Sequence, residues 1–364
     1  MSIEEFVPKT AYSPLPAGKV GYESPSNIAL IKYWGKHGEQ LPKNTSVSFT
    51  LTNCKTTTTL SYSPLETEKP EGSFDFEVYL ENERKPDFEP KIGQFFTRIE
   101  QYLPFLRNYK FIINTSNSFP HSSGIASSAS GMSALALCLL QMEQKMITAR
   151  SEEFFLKKAS FLARLGSGSA CRSISGPVVS WGEHNNLPGS SALYGTPFIG
   201  GIAPVFEGFQ DTILLVDTGK KEVSSTVGHN LMNDHPYAEN RFQQAEKHID
   251  QLLYIFKNGD LEGFVSLVEQ EALTLHAMMM TSKPYFILMK ENTLSIINKI
   301  WEFRKETGLP VCFTLDAGAN VHVLYPEKDK QEILKFIKEE LAIFCQNGRY
   351  ISDFAGKGSK ALLK

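Results

Sequence analysis

A chain of 364 residues with 41% hydrophobic side chains can bury a substantial core, organised as two domains or one large one, which excludes intrinsic disorder. The formal net charge of −3 carries no long block of one sign, so charge argues against nucleic acid or an anionic membrane as partner, and any positive charge that matters must be local. No apolar run approaches the ~20 residues that span a bilayer. The N-terminal residues lack the apolar stretch of a signal peptide. The five cysteines, Cys54, Cys138, Cys171, Cys312 and Cys345, form no Cys-x-x-Cys pair, which points to a reducing compartment and a soluble, cytoplasmic protein.

In chain order, the first telling segment is Asn27-Ile-Ala-Leu-Ile-Lys-Tyr-Trp-Gly-Lys36, an apolar strand-like run that ends in two lysines four apart, with an aromatic pair between them. Lys32 follows the hydrophobic stretch, where an ammonium needs an anionic partner to offset desolvation. A plain surface role is the alternative for either lysine. Residues 47–51, 56–62, 74–80 and 110–115 alternate or are rich in β-formers and predict an antiparallel sheet.

The stretch Phe119-Pro-His-Ser-Ser-Gly-Ile-Ala-Ser-Ser-Ala-Ser-Gly-Met132 is a small-residue, hydroxyl-rich loop that runs into the apolar series 134–140, which reads as a buried helix. Such a helix start suits phosphate. Gly124 and Ala126 let the backbone approach a ligand, the first N–H groups point outward, and Ser127, Ser128 and Ser130 supply hydroxyls. Tight helix–sheet packing is the competing explanation. The Walker A pattern is absent, because none of the Gly-Lys pairs, at Gly18, Gly35, Gly219 and Gly356, meets it.

Ser151, followed by Glu152 and Glu153, opens a further helix that stops at Gly166. There Gly166-Ser-Gly-Ser-Ala-Cys-Arg172 forms a second anion cradle. Ser167 and Ser169 offer hydroxyls, and Arg172 can grip a carboxylate or phosphate through two parallel hydrogen bonds. A glycine C-cap with a surface arginine explains Gly166 but not the remaining pattern. Residues 187–204, rich in Gly, Pro and Ser, mark a domain junction, giving domains 1–195 and 196–364.

Beyond it, residues 212–216 predict a strand, and Val223-Ser-Ser-Thr-Val-Gly228 offers hydroxyls behind Lys220 and Lys221. Helical patterns cover 238–256, 261–279, 291–305 and 328–344, and strands over 311–315 and 321–325 flank the turn Asp316-Ala-Gly-Ala-Asn320. Asp316 either makes an Asx-turn with Gly318 or stands at a cleft mouth as base for a substrate hydroxyl. The methionine run 278–280 reads as core, and the histidines show no metal-binding spacing. The fold class is α+β with antiparallel sheets.

Four of these segments, in this order, resemble those of the diphosphomevalonate decarboxylases within the GHMP superfamily of small-molecule kinases: 27–36, 119–131, 166–173 and 313–320. The resemblance implies a two-domain fold, with a ribosomal protein S5 domain 2-like N-terminal domain and a ferredoxin-like α/β sandwich behind it. It implies conversion of 5-diphosphomevalonate to isopentenyl diphosphate through 3-phosphorylation, with ATP and Mg2+ as cofactors, in a homodimer. Relatives that decarboxylate 5-phosphomevalonate or phosphorylate mevalonate at its 3-hydroxyl are the alternatives.

By the same resemblance, Asp316 faces the 3-hydroxyl, Lys32 stabilises developing charge, and Arg172 orients the substrate carboxylate. Tyr33, Trp34, Gly35, Lys36, Ser167, Gly168, Ser169, Ala170, Cys171 and Thr226, with Ser224 or Ser225, line the substrate and its diphosphate. Gly124, Ala126, Ser127, Ser128 and Ser130 wrap the ATP phosphates. The family also grips the diphosphate with an arginine of the first domain, for which Arg84, Lys91 and Arg98 are candidates. The chain departs from the family pattern at His121, Ser122 and Ser123, in place of Thr-Ala-Ala, and at Ala319, in place of Pro.

Overall fold

The computed structural model describes residues 2–120, 125–148, 150–219 and 225–362, the side chains of Ser225 and Thr226 excepted. Strand β1 (Gly18–Ile31) is followed by a small hairpin, β2 (Lys36–His37) and β3 (Leu41–Pro42), and then by β4 (Ser46–Pro64). The two long strands run antiparallel from Gly18 opposite Tyr62 to Ile31 opposite Val47. Residues 47–51 and 56–62, separate in the sequence pattern, belong to this one strand. Asp353 bridges the gap by accepting the N–H groups of Thr52, Asn53 and Cys54 at 2.8, 2.8 and 2.6 Å, where the ladder shifts register.

Strands β5 (Asp75–Leu80) and β6 (Glu83–Arg84) lead through helix α1 (Glu89–Ile99) to β7 (Tyr109–Asn117). β7 lies antiparallel to β4 but parallel to β5, which corrects the all-antiparallel expectation. A parallel pair needs a crossover, and α1 supplies it. Its buried Ile92, Phe95, Phe96 and Ile99 follow the helical i, i+3, i+4, i+7 spacing.

Helices α2 (Ser127–Met146) and α3 (Glu152–Gly166) pack against this sheet; Ser151 caps α3 by accepting the Phe154 N–H at 3.2 Å. Strands β8 (Val178–Gly182) and β9 (Ser191–Pro197) extend the sheet beside the first residues of β4.

The second half runs β10 (Gln210–Leu214), α4 (Ser225–Asn230), α5 (Ala238–Asn258), α6 (Leu261–Met280), α7 (Glu291–Thr307), β11 (Cys312–Thr314), β12 (Val321–Tyr325), α8 (Lys330–Phe336) and β13 (Tyr350–Phe354). Its antiparallel sheet has the order β11-β12-β10-β13. The expected helix over 328–344 stays α-helical only to Phe336, then passes into a π turn and a 3-10 turn. A last short strand, β14 (Lys360–Ala361), returns to pair with β1.

One buried cluster spans both halves. Ile28, Leu30 and Ile31 of β1 and Val47 and Phe49 of β4 pack with Phe209, Phe256, Phe264 and Leu324. Each such side chain stabilises by about 1.5–3 kcal/mol relative to exposure. This shared core holds the end of β1 against α6. The methionine run divides, with Met278 and Met279 buried and Met280 39% exposed.

Candidate active site

β1 ends at Ile31, so Lys32 is the first residue beyond the strand and its side chain is 2% exposed. Its Nζ meets Asp316 Oδ1 at 3.0 Å. Burial pushes the Lys32 ammonium down, while the carboxylates of Asp316 and Glu271 hold its proton. Asp316 sits just past β11. The Gly318 N–H donates to the backbone carbonyl of Asp316 at 2.7 Å rather than to its carboxylate, so the turn leaves that carboxylate to face Lys32. From α6, His276 Nε2 donates to the same backbone carbonyl at 3.2 Å. Burial holds the His276 imidazole at about 4, hence neutral.

The backbone of Lys32 is clamped as well. Its N–H donates to Glu271 Oε2 at 2.8 Å, and its carbonyl accepts from Asn44 Nδ2 at 3.0 Å and Arg241 Nη2 at 3.5 Å. Glu271 is fully buried, binds Arg241 through both carboxylate oxygens, and accepts from His248 Nδ1. An ammonium at a strand end is thereby held by two helices of the other half. Sequence reading missed Glu271, Arg241 and His276. The available signal was a charged residue, Glu271, inside the otherwise apolar buried stripe Val268, Ala272, Leu275 of α6.

The turn after α3 carries Gly168 to Ser173. Arg172 is buried there, its Nε donating to Ser48 Oγ at 2.5 Å and its Nη1 to Ser46 Oγ at 2.6 Å, both at the start of β4. These bonds occupy Nε and one N–H of Nη1, so the edge of the fork that could donate in parallel to a planar anion is the Nη1–Nη2 edge. Burial lowers the Arg172 pKa, with Cys171, Asp316 and Tyr33 opposing it, and Arg172 in turn depresses Lys32. Lys32, Arg172 and Asp316 thus lie within electrostatic reach of one another.

The backbone of this turn is held closely by its neighbours. A Cβ on Gly168 would meet Trp181 at 2.8 Å and the Tyr33 hydroxyl at 2.9 Å, so only glycine lets the turn approach. The Ser169 carbonyl accepts from Asn27 Nδ2 at 3.3 Å, and that of Ala170 from Ser133 Oγ at 2.7 Å. Cys171 is buried, its thiol pushed up to about 12 by desolvation, which makes it inert as a nucleophile. Gly166 is a packing glycine, because a Cβ would reach Met132 Sδ at 2.8 Å.

Tyr33 and Trp34 are buried, and Tyr33 packs on Trp181 with ring centroids 4.6 Å apart. Gly35 has φ +96°, in the region that favours glycine. Lys36 reaches Gln40 Oε1 at 3.1 Å, and burial together with Arg98 depresses its ammonium. Lys91 projects from α1 like Arg98, is exposed, and lies within electrostatic reach of Lys36. Lys36 is thus within electrostatic reach of both Arg98 and Lys91, a grouping of positive charge that suits a multiply charged anion. Arg84 lies elsewhere, on β6, paired with Glu89 and Glu77. The hairpin bearing Lys36 is tied down by buried Arg164, which donates to the carbonyls of Glu39 and Leu193.

At the start of α2, Ala126 takes the left-handed φ of 42° and opens the helix without a side-chain cap. Ser128 Oγ approaches Ser167 Oγ at 3.4 Å, which brings the two small-residue turns together. Ser127 opens the first turn. Ser130 is fully buried and bonds Thr56 Oγ1 at 2.6 Å, so its hydroxyl faces the sheet rather than the cleft. Gly124, the departures His121, Ser122 and Ser123, and Ser224 lie outside the described residues, and the side chains of Ser225 and Thr226 likewise. Ala319, the other departure, offers its carbonyl to Thr293 Oγ1 at 2.7 Å. Among the described residues no three His, Cys, Asp or Glu side chains converge as a metal site.

Two family profiles match the chain: a diphosphomevalonate decarboxylase-like N-terminal domain over residues 24–193 and a mevalonate 5-diphosphate decarboxylase C-terminal domain over 212–360. The diphosphomevalonate decarboxylase of Ganoderma lucidum is 29% identical over 340 residues, covering 86% of this chain and 80% of that protein. That of Saccharomyces cerevisiae is 29% identical over 327 residues, covering 86% and 79%. The crystal structure of mevalonate diphosphate decarboxylase from Staphylococcus aureus has a TM-score of 0.79 at 26% identity, covering 95% of this chain and 98% of that one. A structure of MDDEF in complex with MVAPP, AMPPCP and magnesium reaches 0.79 at 26% identity, covering 96% and 100%. Both halves match one family, in order and over nearly the whole length, and the chain belongs to the diphosphomevalonate decarboxylases.

Proposed function

We propose that the chain converts 5-diphosphomevalonate and ATP to isopentenyl diphosphate, ADP, phosphate and carbon dioxide. The observation that carries this reading is the Lys32–Asp316 pair at 3.0 Å, assembled from opposite ends of the sequence within electrostatic reach of Arg172. A carboxylate to take the hydroxyl proton, an ammonium to balance phosphoryl charge and a guanidinium to hold a carboxylate suit the activity named for its relatives.

A tertiary hydroxyl is a poor leaving group and must first become a phosphate ester. Asp316 accepts the 3-hydroxyl proton as that oxygen attacks the terminal phosphorus of ATP and ADP departs. The C3–O bond to phosphate then breaks, and the electrons of the carboxylate-bearing bond form the C2–C3 double bond as carbon dioxide leaves. Arg172 holds the carboxylate in line and Lys32 balances phosphoryl charge, contributing through placement and electrostatics. In this reading the diphosphate end lies toward Lys36, with Lys91 and Arg98 on α1 favoured over Arg84 because both α1 residues lie within electrostatic reach of Lys36 while Arg84 pairs with Glu89 and Glu77.

Ser127 and Ser128 face the ATP phosphates at the helix start. A magnesium ion brought in with ATP would lie beside the Ser127 and Ser128 hydroxyls and would supply neutralisation of the phosphate charge. The proposal includes a homodimer in the cytoplasm. Five unpaired, buried cysteines fit a reducing compartment, and among the described residues no helix is long and apolar enough to cross a membrane.

The test is purified protein with ATP and either 5-diphosphomevalonate or 5-phosphomevalonate. Equal release of ADP, phosphate and carbon dioxide, faster with the diphosphate, is expected. ADP formation without carbon dioxide would show a kinase instead, and sedimentation of the same sample reads the dimer.

A further inference from the structure

His229, on α4, has no part in the chemistry above, yet it touches three consecutive residues of the substrate-binding segment. Its ring centroid lies 4.2 Å from that of Tyr33 and 4.7 Å from that of Trp34. The Gly35 N–H donates to its Nδ1 at 3.0 Å. Its neighbour Gly228 backs directly onto Trp34, where a Cβ would fall 2.4 Å from the ring. The other polar group of the Gly35 backbone is held too, its carbonyl accepting the Lys43 N–H at 3.2 Å. A left-handed turn is thus pinned from both sides, and Lys36 is the next residue along.

Acceptance at Nδ1 requires that nitrogen to be bare. Burial, reinforced by the positive charges of Lys36 and Arg172, pushes His229 down to about 3, so the imidazole stays neutral with its proton on Nε2 throughout the working range. The Tyr33 phenol, the other titratable group in contact, is pushed up by its own burial and stays neutral too. The aromatic contacts alone would accept any flat ring. The hydrogen bond does not, because a ring without an acceptor leaves a buried N–H unpaired.

We propose that His229 is a positioning residue for the phosphate end of the substrate: by accepting the Gly35 N–H between two aromatic rings, it sets the direction in which Lys36 leaves the backbone. The proposal rests on the decarboxylase reading for the role of Lys36, but the hydrogen bond itself can be tested without it.

Nitrogen-15 histidine NMR of the intact protein reads the tautomer directly. A neutral His229 protonated at Nε2 over about pH 6 to 8 is expected, and a proton on Nδ1 would overturn the proposal even if the protein had no activity. With wild-type turnover in hand, two variants separate acceptor from ring. His229→Phe keeps the ring and removes the acceptor; His229→Asn places an amide oxygen near the Nδ1 position and loses the ring. His229→Phe should raise the KM for diphosphomevalonate about fivefold to tenfold, the size of one net hydrogen bond, with kcat and the KM for ATP little changed. His229→Asn should recover most of that affinity despite a lower melting temperature. A wild-type KM in His229→Phe, or equal impairment of both variants, would reduce His229 to packing. Failure of wild-type turnover would instead remove the functional reading and leave the NMR result standing.

Discussion

Replacing Glu271 by Gln removes one charge from the most buried ion pair among the described residues without changing its shape. The Glu271 carboxylate is fully buried and accepts from Arg241 Nη1 at 3.0 Å, the Lys32 N–H at 2.8 Å, Arg241 Nη2 and His248 Nδ1. A glutamine presents an N–H2 group where each carboxylate oxygen accepted from an Arg241 N–H, so one of those two donors loses its acceptor and Arg241 loses its counter-charge. Breaking a buried pair from one side costs about 3–5 kcal/mol. At roughly 1.3 °C per kcal/mol for a chain of this length, the melting temperature should fall by about 4–7 °C.

Burial pushes the Glu271 carboxyl up, but Arg241, His248 and the Lys32 N–H outweigh it and hold the group below its usual value. A carboxyl depressed in the folded state contributes stability above its unfolded pKa of about 4.3 and loses it as pH falls through the lower folded value. The gap between wild type and Glu271→Gln should therefore be full near neutrality and close in acid below about pH 4. Urea unfolding at neutral and acid pH measures it, with Lys157→Gln, which breaks the exposed pair to Glu153, as a control expected within about 1 kcal/mol of wild type. A neutral-pH loss for Glu271→Gln below about 0.5 kcal/mol would refute the view that this cluster clamps Lys32.

Three further outcomes are expected. Asp316→Asn should lower kcat by about 10²–10⁴ through loss of the base, with ATP affinity retained in a nucleotide-binding assay; turnover near wild type would remove Asp316 from its role. Lys91→Met should raise the KM for diphosphomevalonate about tenfold to a hundredfold, the range for a hydrogen bond to a charged group. Arg84→Met should leave that KM unchanged, and the reverse ranking, read from steady-state kinetics, would place the diphosphate on the other side of α1.

Local chemistry was legible in the sequence wherever a residue's role depends on its neighbours in the chain. Ser151 capping α3, the small-residue entry into α2, the glycine turn before Arg172 and the strand pair around Asp316 all depend on backbone propensity, capping and periodicity over a few residues. The motif order carried the family as well. Helix α1 went unread, although its buried residues keep helical spacing, and with it went its consequence, a parallel strand pair.

Only tertiary structure decided which charged groups meet. Lys32 and Asp316 lie 284 positions apart, and Lys32 and Glu271 239, so no window along the chain relates them. Ser130 and Ser128 show the same limit at close range. Two hydroxyls of one helix turn look alike in sequence, yet helical geometry aims one at Thr56 in the sheet and the other toward Ser167 across the cleft. Propensity and periodicity act through bonded neighbours, whereas charge pairing and burial depend on distance in space, which is set when the core shared by β1, β4 and α6 closes.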